Sequence, residues 1–245
     1  MPKQLPIYLF TDYGLAGPYV GLLHAAVRRQ GCSSEIIDLQ HDVPAFDPVA
    51  AGILLQHQLP YLPEEAVVCA VIDPGVGGER KGLILQLGHH WLVGPDNGLF
   101  APSLSAAKTI ETIDWQPAFM SATFHGRDWF VPVAARLAMH RQPAATQVEA
   151  RSCVGFGRAG ELPQVIYVDA FGNAMTGMVA ERLKGTVRLQ VKGRIIQGAR
   201  TFGDVPVGQA FWYANSLGLV EIAVNQGSAV SQLGIEPGDA VTVLE

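Results

Sequence analysis

Four polar clusters carry the residue types that could do chemistry, and each follows a short apolar run or precedes a helical pattern. They are Thr11-Asp12-Tyr13-Gly14, Asp73-Pro74-Gly75-Val76-Gly77-Gly78-Glu79-Arg80, Gly94-Pro95-Asp96-Asn97-Gly98 and Thr123-Phe124-His125-Gly126-Arg127-Asp128. In open α/β sheets, ligands bind at the carboxyl ends of the strands. Carboxylates, an arginine and a histidine at such an edge suit acid–base chemistry on a small molecule.

Each cluster also has a purely structural interpretation. Asp12 can cap a turn, Asp73 can open one, and Asp96 belongs to an ordinary tight-turn sequence, which is the role we assign to it. His125 can be a structural histidine, and Asp128 can cap the helix that follows it.

Several familiar catalytic motifs are missing from the sequence. The glycine-rich run 75–78 has neither the GxGxxG pattern nor the Walker lysine–serine ending, so it does not predict a phosphate loop. No GxSxG nucleophile elbow is present. His89-His90 has no cysteine or carboxylate at ligand spacing and HExxH is absent, so no metal site is expected. The residues alone indicate a small-molecule enzyme and leave its reaction open.

The clusters need a framework, and the first half of the chain alternates apolar runs with helical patterns. Strands are predicted at 7–10, 35–39, 66–72, 83–87 and 91–93, and helices at 18–30, 49–59 and 128–140. The run 66–72 is continuously apolar, which is typical of a strand in a parallel sheet that is covered on both faces. This alternation predicts an α/β domain with a mostly parallel sheet.

The second half contains short β-like runs separated by turn residues. Strands are predicted at 164–168, 187–191, 211–213, 219–224 and 240–244. Clear periodicity disappears between the two halves. We therefore predict an N-terminal α/β domain over 1–150, a linker over 151–163 and a smaller C-terminal β-barrel domain over 164–245. The aromatic run 211–213 is either core or a wall for a flat ring.

Composition narrows the class of protein. The 245 residues are 49% hydrophobic and 16% charged, a balance that excludes intrinsic disorder. The formal net charge is −5 and no Lys/Arg cluster occurs, so no nucleic-acid partner is expected. No apolar run is long enough for a membrane span or a signal peptide, so no membrane partner is expected. The three cysteines form no disulfide framework, which favours a cytoplasmic location.

Six motifs occur in an order and at intervals that resemble those of one enzyme family. They are TDYG…YVG at 11–21, DPGVGGER at 73–80, PDNG at 95–98, TFHGRDWF at 123–130, DAFGN at 169–173 and NSLGLVEIAVNQGSA at 215–229. From about Leu5 to Val243, the chain resembles the S-adenosyl-L-methionine (SAM) hydrolases, also called SAM hydroxide adenosyltransferases. These enzymes are relatives of the SAM-dependent fluorinase and chlorinase.

The resemblance implies a reaction and the residues that run it. SAM and water would give adenosine and methionine, with SAM as the substrate and no cofactor. In the family an Asp-Arg-His set handles the water, and its positions match Asp73, Arg80 and His125. The fluorinase has a tyrosine at the position of Asp73, so the likeness is to the water-using branch. A homotrimer is also implied, with each active site between one subunit's N-terminal domain and its neighbour's C-terminal domain.

The family's contacts to the nucleoside carry over by resemblance. They imply that Asp12 binds the ribose hydroxyls and that Phe46 covers the sugar. Phe171 and Phe202 would sandwich adenine, and Asn173 would hydrogen-bond the edge of the ring.

Further contacts are implied near adenine or the methionine end of the substrate. They fall on Ser216, Glu221 and the backbone near Val224. The chain departs from the family pattern at Gly17, where the family usually has an acidic residue near the methionine end.

Two points stay open at the level of sequence. Arg80 remains protonated and would stabilise developing hydroxide, but either Asp73 or His125 could accept the proton. Chloride-dependent adenosyl transfer is an alternative reaction, although a carboxylate at position 73 would repel an incoming anion. A non-catalytic protein that only binds adenosine or SAM is the other alternative.

Overall fold

The computed structural model of the chain describes residues 2–63, 65–158, 160–183 and 187–244. The chain divides into two compact units, residues 1–158 and 159–245. The predicted domain and linker boundaries stay predictions, and seven residues of the predicted ranges, Met1, Glu64, Ala159, 184–186 and Glu245, lie outside the described residues.

The N-terminal unit is a seven-stranded sheet with three helices. Its elements are β1 (Ile7–Thr11), α1 (Tyr19–Arg29), β2 (Ile36–Gln40), α2 (Pro48–Gln58), β3 (Ala66–Val71), β4 (Gly82–Leu87), β5 (His90–Pro95), β6 (Thr109–Ile113), α3 (Val131–Ala138) and β7 (Ala145–Gln147). The strand order is β2-β1-β3-β5-β4-β6-β7. The prediction of an α/β domain is confirmed.

The sheet is mixed, with its parallel part at one side. β2, β1, β3 and β5 pair in parallel, whereas the pairs β5–β4, β4–β6 and β6–β7 are antiparallel. β4 and β5 are separated only by the turn Gly88-His89, and a connection this short can join only antiparallel strands. The predicted strand–helix–strand alternation therefore describes the parallel half of the sheet, and those polar clusters that follow a strand follow one of this half.

The parallel half brings two of those clusters to one edge. All residues of β1 and β3 are buried, as the unbroken apolar runs predict. The two strands are neighbours in register, with Thr11 opposite Val71. Asp12 and Asp73 therefore leave the sheet at the same edge, one residue and two residues beyond the paired positions.

The helix predicted at 128–140 is an α-helix only over Val131–Ala138. A π-helical turn, Gly126–Phe130, precedes α3, and the Val131 amide donates to the Gly126 carbonyl. Helix α3 packs its buried face against the sheet, together with α1. Because single π-helical turns are frequent at functional sites, this position directs attention to the residues just before it.

The C-terminal unit is an almost closed barrel. Its elements are β8 (Leu162–Val168), β9 (Ala174–Val179), β10 (Arg188–Val191), β11 (Arg194–Gly198), β12 (Ala210–Ala214), β13 (Leu219–Val224), α4 (Ala229–Leu233) and β14 (Val241–Leu244). The strand order is β14-β10-β11-β12-β13-β9-β8, and only β11 and β12 pair in parallel. A bridge between Gln164 and Ala240 joins the two ends of the sheet. The barrel prediction is confirmed.

The helices of the described ranges are short compared with the thickness of a membrane. The longest helices in the described ranges, α1 and α2, have 11 residues each. At about 1.5 Å per residue, such a helix covers roughly half of a hydrocarbon core about 30 Å thick. No helix in these ranges is both long and apolar enough to cross a membrane.

Candidate active site

Arg80 joins the two other residues of the predicted catalytic set. Its Nε donates to Asp73 Oδ1 at 2.9 Å and lies 3.1 Å from Asp73 Oδ2. Its Nη2 donates both to Asp73 Oδ2 and to His125 Nδ1, the latter at 2.9 Å. A planar guanidinium is suited to this double role, because its donors point in fixed directions.

The charges of this set are largely removed from water. The side chains of Arg80 and Asp73 are only 10% and 5% exposed. The guanidinium carbon of Arg80 lies 5.5 Å from the ring centre of Trp129 and 5.0 Å from that of Phe130, within cation–π range. Its Nη1 is buried and has no hydrogen-bond partner among the described residues. The site therefore holds a fixed positive charge with one donor still to be used.

His125 is held as a neutral imidazole. Arg80 can only donate, so His125 Nδ1 accepts and Nε2 carries the ring proton. Burial lowers the pKa of His125, the positive charge of Arg80 lowers it further, and the carboxylates of Asp73 and Asp128 oppose them. In this arrangement His125 presents an N–H donor at Nε2, and no lone pair of the ring is free.

Two loops must pack closely to make these contacts. Arg80 returns to Asp73 through a loop with turn hydrogen bonds from Val76 N to Asp73 O and from Gly78 N to Gly75 O, both 3.1 Å long. Gly77 has φ +83°, and a β-carbon there would fall 2.5 Å from the carbonyl oxygen of Ala122. Glycine at 77 therefore lets the loop lie against the segment that carries His125.

A cavity of about 430 Å³ opens beside Asp73 in the N-terminal unit. It is lined by Asp12, Tyr13, Tyr19, Phe46, Asp73, Val76, Thr123 and Phe124. Asp12 Oδ2 accepts a hydrogen bond from the Phe46 amide at 3.2 Å. Burial raises the pKa of Asp12, against hydrogen bonds from the backbone, and the nearby charge of Asp73 adds to the rise. Two carboxylates thus face one small cavity.

Phe46 is held in an unusual conformation. Its φ is +62°, in the left-handed region, and the residue is 76% exposed. Non-glycine residues in this region cost about 1 kcal/mol or more, and such residues cluster at ligand sites. An exposed ring at the rim of the cavity is a suitable cover for an apolar ligand face.

The six predicted binding residues of the C-terminal unit line a second cavity. This cavity has a volume of about 960 Å³. Its lining includes Phe171, Asn173, Phe202, Ser216, Glu221 and Val224. Phe171 is 79% exposed, and Phe202 lies edge-on to Phe211 with ring centres 5.0 Å apart. The cavity therefore has an aromatic lining suited to a flat ring.

The polar groups of this second cavity are tied to one another. Glu221 is buried and accepts from the Tyr213 hydroxyl and, at 2.7 Å, from Asn215 Nδ2. Burial raises the pKa of Tyr213, and the Glu221 carboxylate raises it further. Asn173 donates from Nδ2 to Asp169 at 2.9 Å, which leaves its amide oxygen as an acceptor. Both Glu221 oxygens are occupied, so its contacts orient Tyr213 and Asn215.

Sequence reasoning missed some residues that line the two cavities. Tyr13 and Tyr19 line the first, and Asn215 lines the second. Tyr13, Tyr19 and Asn215 each lie within one of the six motifs, so their position in a motif, and not their residue type, could have identified them. For the run 211–213 the sequence predicts either core or a wall for a flat ring, and Tyr213 lines the second cavity whereas Phe211 and Trp212 are buried. Gly17 leaves room for the Tyr19 ring, since a β-carbon at 17 would be 3.3 Å from it.

Over the part of the chain that the structure describes, no three His, Cys, Asp or Glu side chains are grouped so that they could hold a metal ion.

Comparison with known proteins gives one consistent family. Residues 7–147 match the model of the SAM hydroxide adenosyltransferase N-terminal domain, and residues 163–242 match that of its C-terminal domain. Proteins named (R)-S-adenosyl-L-methionine hydrolase are similar along nearly the whole chain. The one from Salinispora arenicola is 40% identical and covers 95% of each chain. That from Thermus thermophilus is 38% identical over 98% of this chain and 99% of its own.

Solved structures agree with this comparison. A conserved protein from Thermotoga maritima is 31% identical, with a TM-score of 0.85 over 98% of this chain and 100% of its own. A conserved hypothetical protein from Thermus thermophilus is 36% identical, with a TM-score of 0.78 over the same shares.

Proposed function

The chain belongs to the SAM hydroxide adenosyltransferase family, and from this premise we propose that it hydrolyses S-adenosyl-L-methionine to adenosine and L-methionine. The curated relatives' names specify the (R) form of the substrate, and we propose the same form here. The observation that carries the proposal is the guanidinium of Arg80, bonded to both Asp73 and His125 beside an acidic cavity.

The chemistry requires an activated water molecule. Sulfonium is a good leaving group because it departs as a neutral thioether, whereas water, with a pKa of about 15.7, is a poor nucleophile at neutral pH. The water oxygen forms a bond to ribose C5′ as the C5′–S bond breaks, and the electron pair of that bond goes to sulfur. The water proton leaves to a base, and the products are adenosine and methionine.

Asp73 is the proposed base. His125 cannot accept a proton without giving up its hydrogen bond from Arg80, because Nδ1 is occupied and Nε2 already carries hydrogen. The Asp73 carboxylate has lone-pair capacity beyond its contacts with Arg80, and it lines the cavity. Arg80 would stabilise negative charge on the attacking oxygen, and His125 Nε2–H would supply a further donor.

Substrate contacts follow the family positions. Asp12 binds the ribose hydroxyls and Phe46 covers the sugar, which agrees with their place at the first cavity. Phe171 and Phe202 enclose adenine in the second cavity, where Asn173 has its amide oxygen free to accept. Ser216, Glu221 and the backbone near Val224 complete the proposed set, with Glu221 acting through Tyr213 and Asn215 as well.

Assembly and location are parts of the same proposal. Ribose and adenine contacts lie in different cavities, one in each unit, and the family resemblance supplies a homotrimer that unites them between neighbouring chains. No cofactor is required, because the leaving group and the water provide all the atoms that react. All three cysteines are free, which agrees with a cytoplasmic location.

An isotope experiment tests the reaction directly. The protein is mixed with SAM in ¹⁸O-labelled water, and the products are identified by mass spectrometry. We expect methionine together with adenosine that carries label in its 5′-hydroxyl. A 5′-chloro nucleoside in the presence of excess chloride, or stoichiometric binding without methionine release, would contradict the proposal.

A further inference from the structure

A chain of hydrogen bonds lies beside the carboxyl end of β1. Thr11 Oγ1 is 2.7 Å from His41 Nδ1, and His41 Nε2 is 3.1 Å from Asp38 Oδ1. His24, on α1, reaches the same Asp38 oxygen through its own Nε2 at 2.8 Å. Thr11 and His41 are buried, whereas the His24 side chain is 36% exposed. None of the three groups Thr11, His41 and Asp38 lines either cavity described above.

The donors and acceptors of this chain have a single consistent order when His41 is neutral. Burial acts to raise the pKa of Asp38, but the hydrogen bonds from His24 and His41 outweigh it and the pKa lies below its usual value. An ionised carboxylate only accepts, so His41 Nε2 carries the hydrogen and Nδ1 has the lone pair. The Thr11 hydroxyl then donates to Nδ1 and accepts from the Tyr13 amide at 3.3 Å. Every member has a partner.

The segment that begins at His41 also holds the turn that contains Asp12. The Gly14 amide donates to the His41 carbonyl at 2.7 Å, and the Phe46 amide donates to Asp12 Oδ2 at 3.2 Å. With the Thr11–His41 contact, residues 41–46 and residues 11–14 are joined at three points. Along the chain, Asp12 lies between Thr11 and Gly14, which both contact His41.

We propose that His41 is a positioning residue for substrate: its imidazole, oriented by Asp38, fixes the Thr11–Gly14 turn and so aims the Asp12 carboxylate at the ribose hydroxyls. The inference rests on the proposed function, in which Asp12 binds ribose. A binding side chain has to be held in its productive geometry by packing and by supporting hydrogen bonds, and contacts of this kind join the two segments here. His41 is out of the cavity, so it acts on the substrate only through the turn.

Binding of adenosine to the full-length protein tests this role. We expect His41→Gln to raise the Kd of adenosine, measured by calorimetry, about tenfold, and to raise KM for SAM with little change in kcat. The matched control is His24→Gln, which removes a partner of the same Asp38 oxygen without touching the turn, and it should keep the wild-type Kd. A merely structural role would lower the active fraction, and so kcat, while leaving KM unchanged.

A double-mutant cycle separates action through Asp12 from a general loss of packing. Asp12→Asn alone should weaken adenosine binding, and adding His41→Gln to it should weaken binding no further. Additive losses from the two substitutions would overturn the proposal.

The tautomer provides a readout that is independent of binding. In ¹⁵N-labelled protein, long-range ¹H–¹⁵N spectra should show His41 with hydrogen on Nε2 and a lone pair on Nδ1, and the opposite assignment would overturn the inference.

The proposed function and the inference about His41 would fail in different experiments. If the proposed function is wrong, the wild-type protein releases no methionine; if this inference is wrong, His41→Gln protein releases methionine with the wild-type KM and adenosine Kd.

Discussion

The hydroxyl of Tyr13 lies against the backbone of Gly126, in the place that a side chain at 126 would occupy. A β-carbon built on Gly126 would overlap the Tyr13 oxygen. The Tyr13 ring is fixed from other sides by Tyr19 and Phe124, with ring centres 6.0 Å and 5.7 Å away. The turn after β1 and the residue that follows His125 therefore fit together only because position 126 has no side chain.

Gly126→Ala should disturb the site more than its size suggests. The added methyl group must displace either Tyr13 or the segment that carries His125, and overpacking of this kind typically costs about 1–3 kcal/mol of stability. We expect a lower melting temperature and at least a tenfold lower kcat for methionine release, since misplacing a reacting group by about 1 Å can cost 10²-fold.

Two variants control this prediction. Gly21→Ala adds the same methyl group in α1, where nothing lies within 4 Å, and it should keep the wild-type kcat. Tyr13→Phe combined with Gly126→Ala removes the overlapping oxygen and should recover part of the lost activity. An unchanged kcat in Gly126→Ala would show that this contact does not set the position of His125.

Asp73→Asn tests the base. The amide keeps the shape of the side chain but is a far weaker proton acceptor, so kcat should fall by about 10²-fold or more, the usual scale for losing acid–base assistance. The Kd of adenosine, which contains no reacting water, should change little. If kcat stays within a few-fold of wild type, the proton has another acceptor.

The fold was predictable where the sequence signal is local. The continuous apolar run of β3 predicts a buried parallel strand, and the strands that were not predicted have no such run. β6 (Thr109–Ile113) is short and has three polar residues among its five, and β9 (Ala174–Val179) contains Ala, Thr and Gly. β6 pairs with β4 and β7, and β9 pairs with β13 as well as with the adjacent β8, so most of these partners are distant in sequence and no local pattern reports them.

Contacts within the site also differ in whether they join residues that are near or distant in sequence. Asp73 and Arg80 are seven residues apart, and their contact could be anticipated as a folded-back loop. The tautomer of His125 and the pairing of Thr11 with His41 depend on contacts across 45 and 30 residues, so only the fold reveals them. Motif order could therefore name the candidate residues, whereas their donor and acceptor roles required the structure.

His125 should make the protein less stable in mild acid. Its pKa in the folded state is lowered by burial and by Arg80, below the unfolded value of about 6.5. Between these two pKa values the unfolded chain binds more protons than the folded chain. The contribution of His125 to the free energy of unfolding is therefore fully present above about pH 6.5 and is lost as the pH drops toward the folded pKa. Urea unfolding at pH 7.5 and pH 5 would measure the difference.

Substitutions identify the source of that difference. His90, whose pKa burial also lowers, contributes with the same sign, so His125→Gln should reduce the pH dependence without abolishing it. In Arg80→Gln the cation is gone while Asp73 and Asp128 remain, and an NMR titration should show a higher pKa for His125 than in wild type. A lower or unchanged pKa in that variant would mean that Arg80 does not act on the ring as proposed.

Glu221→Gln should weaken adenosine binding through its neighbours in the C-terminal unit. Both carboxylate oxygens accept, from the Tyr213 hydroxyl and from Asn215 Nδ2, whereas glutamine offers one acceptor and turns an N–H₂ toward the Asn215 donor. A buried donor left without an acceptor costs about 1–3 kcal/mol, so we expect the Kd of adenosine to rise about tenfold and the melting temperature to fall.

The complementary exchange makes this last prediction specific. In Asn215→Asp with Glu221→Gln, the glutamine N–H₂ donates to the new carboxylate, and the Tyr213 hydroxyl still donates to the remaining oxygen of residue 221. The oxygen of residue 215 that accepts from the Leu217 and Leu219 amides at 3.0 Å is retained as well. The double variant should therefore bind adenosine more tightly than Glu221→Gln alone. If calorimetry finds it no tighter, the negative charge at 221 matters to the ligand directly, and the geometry of its hydrogen bonds is secondary.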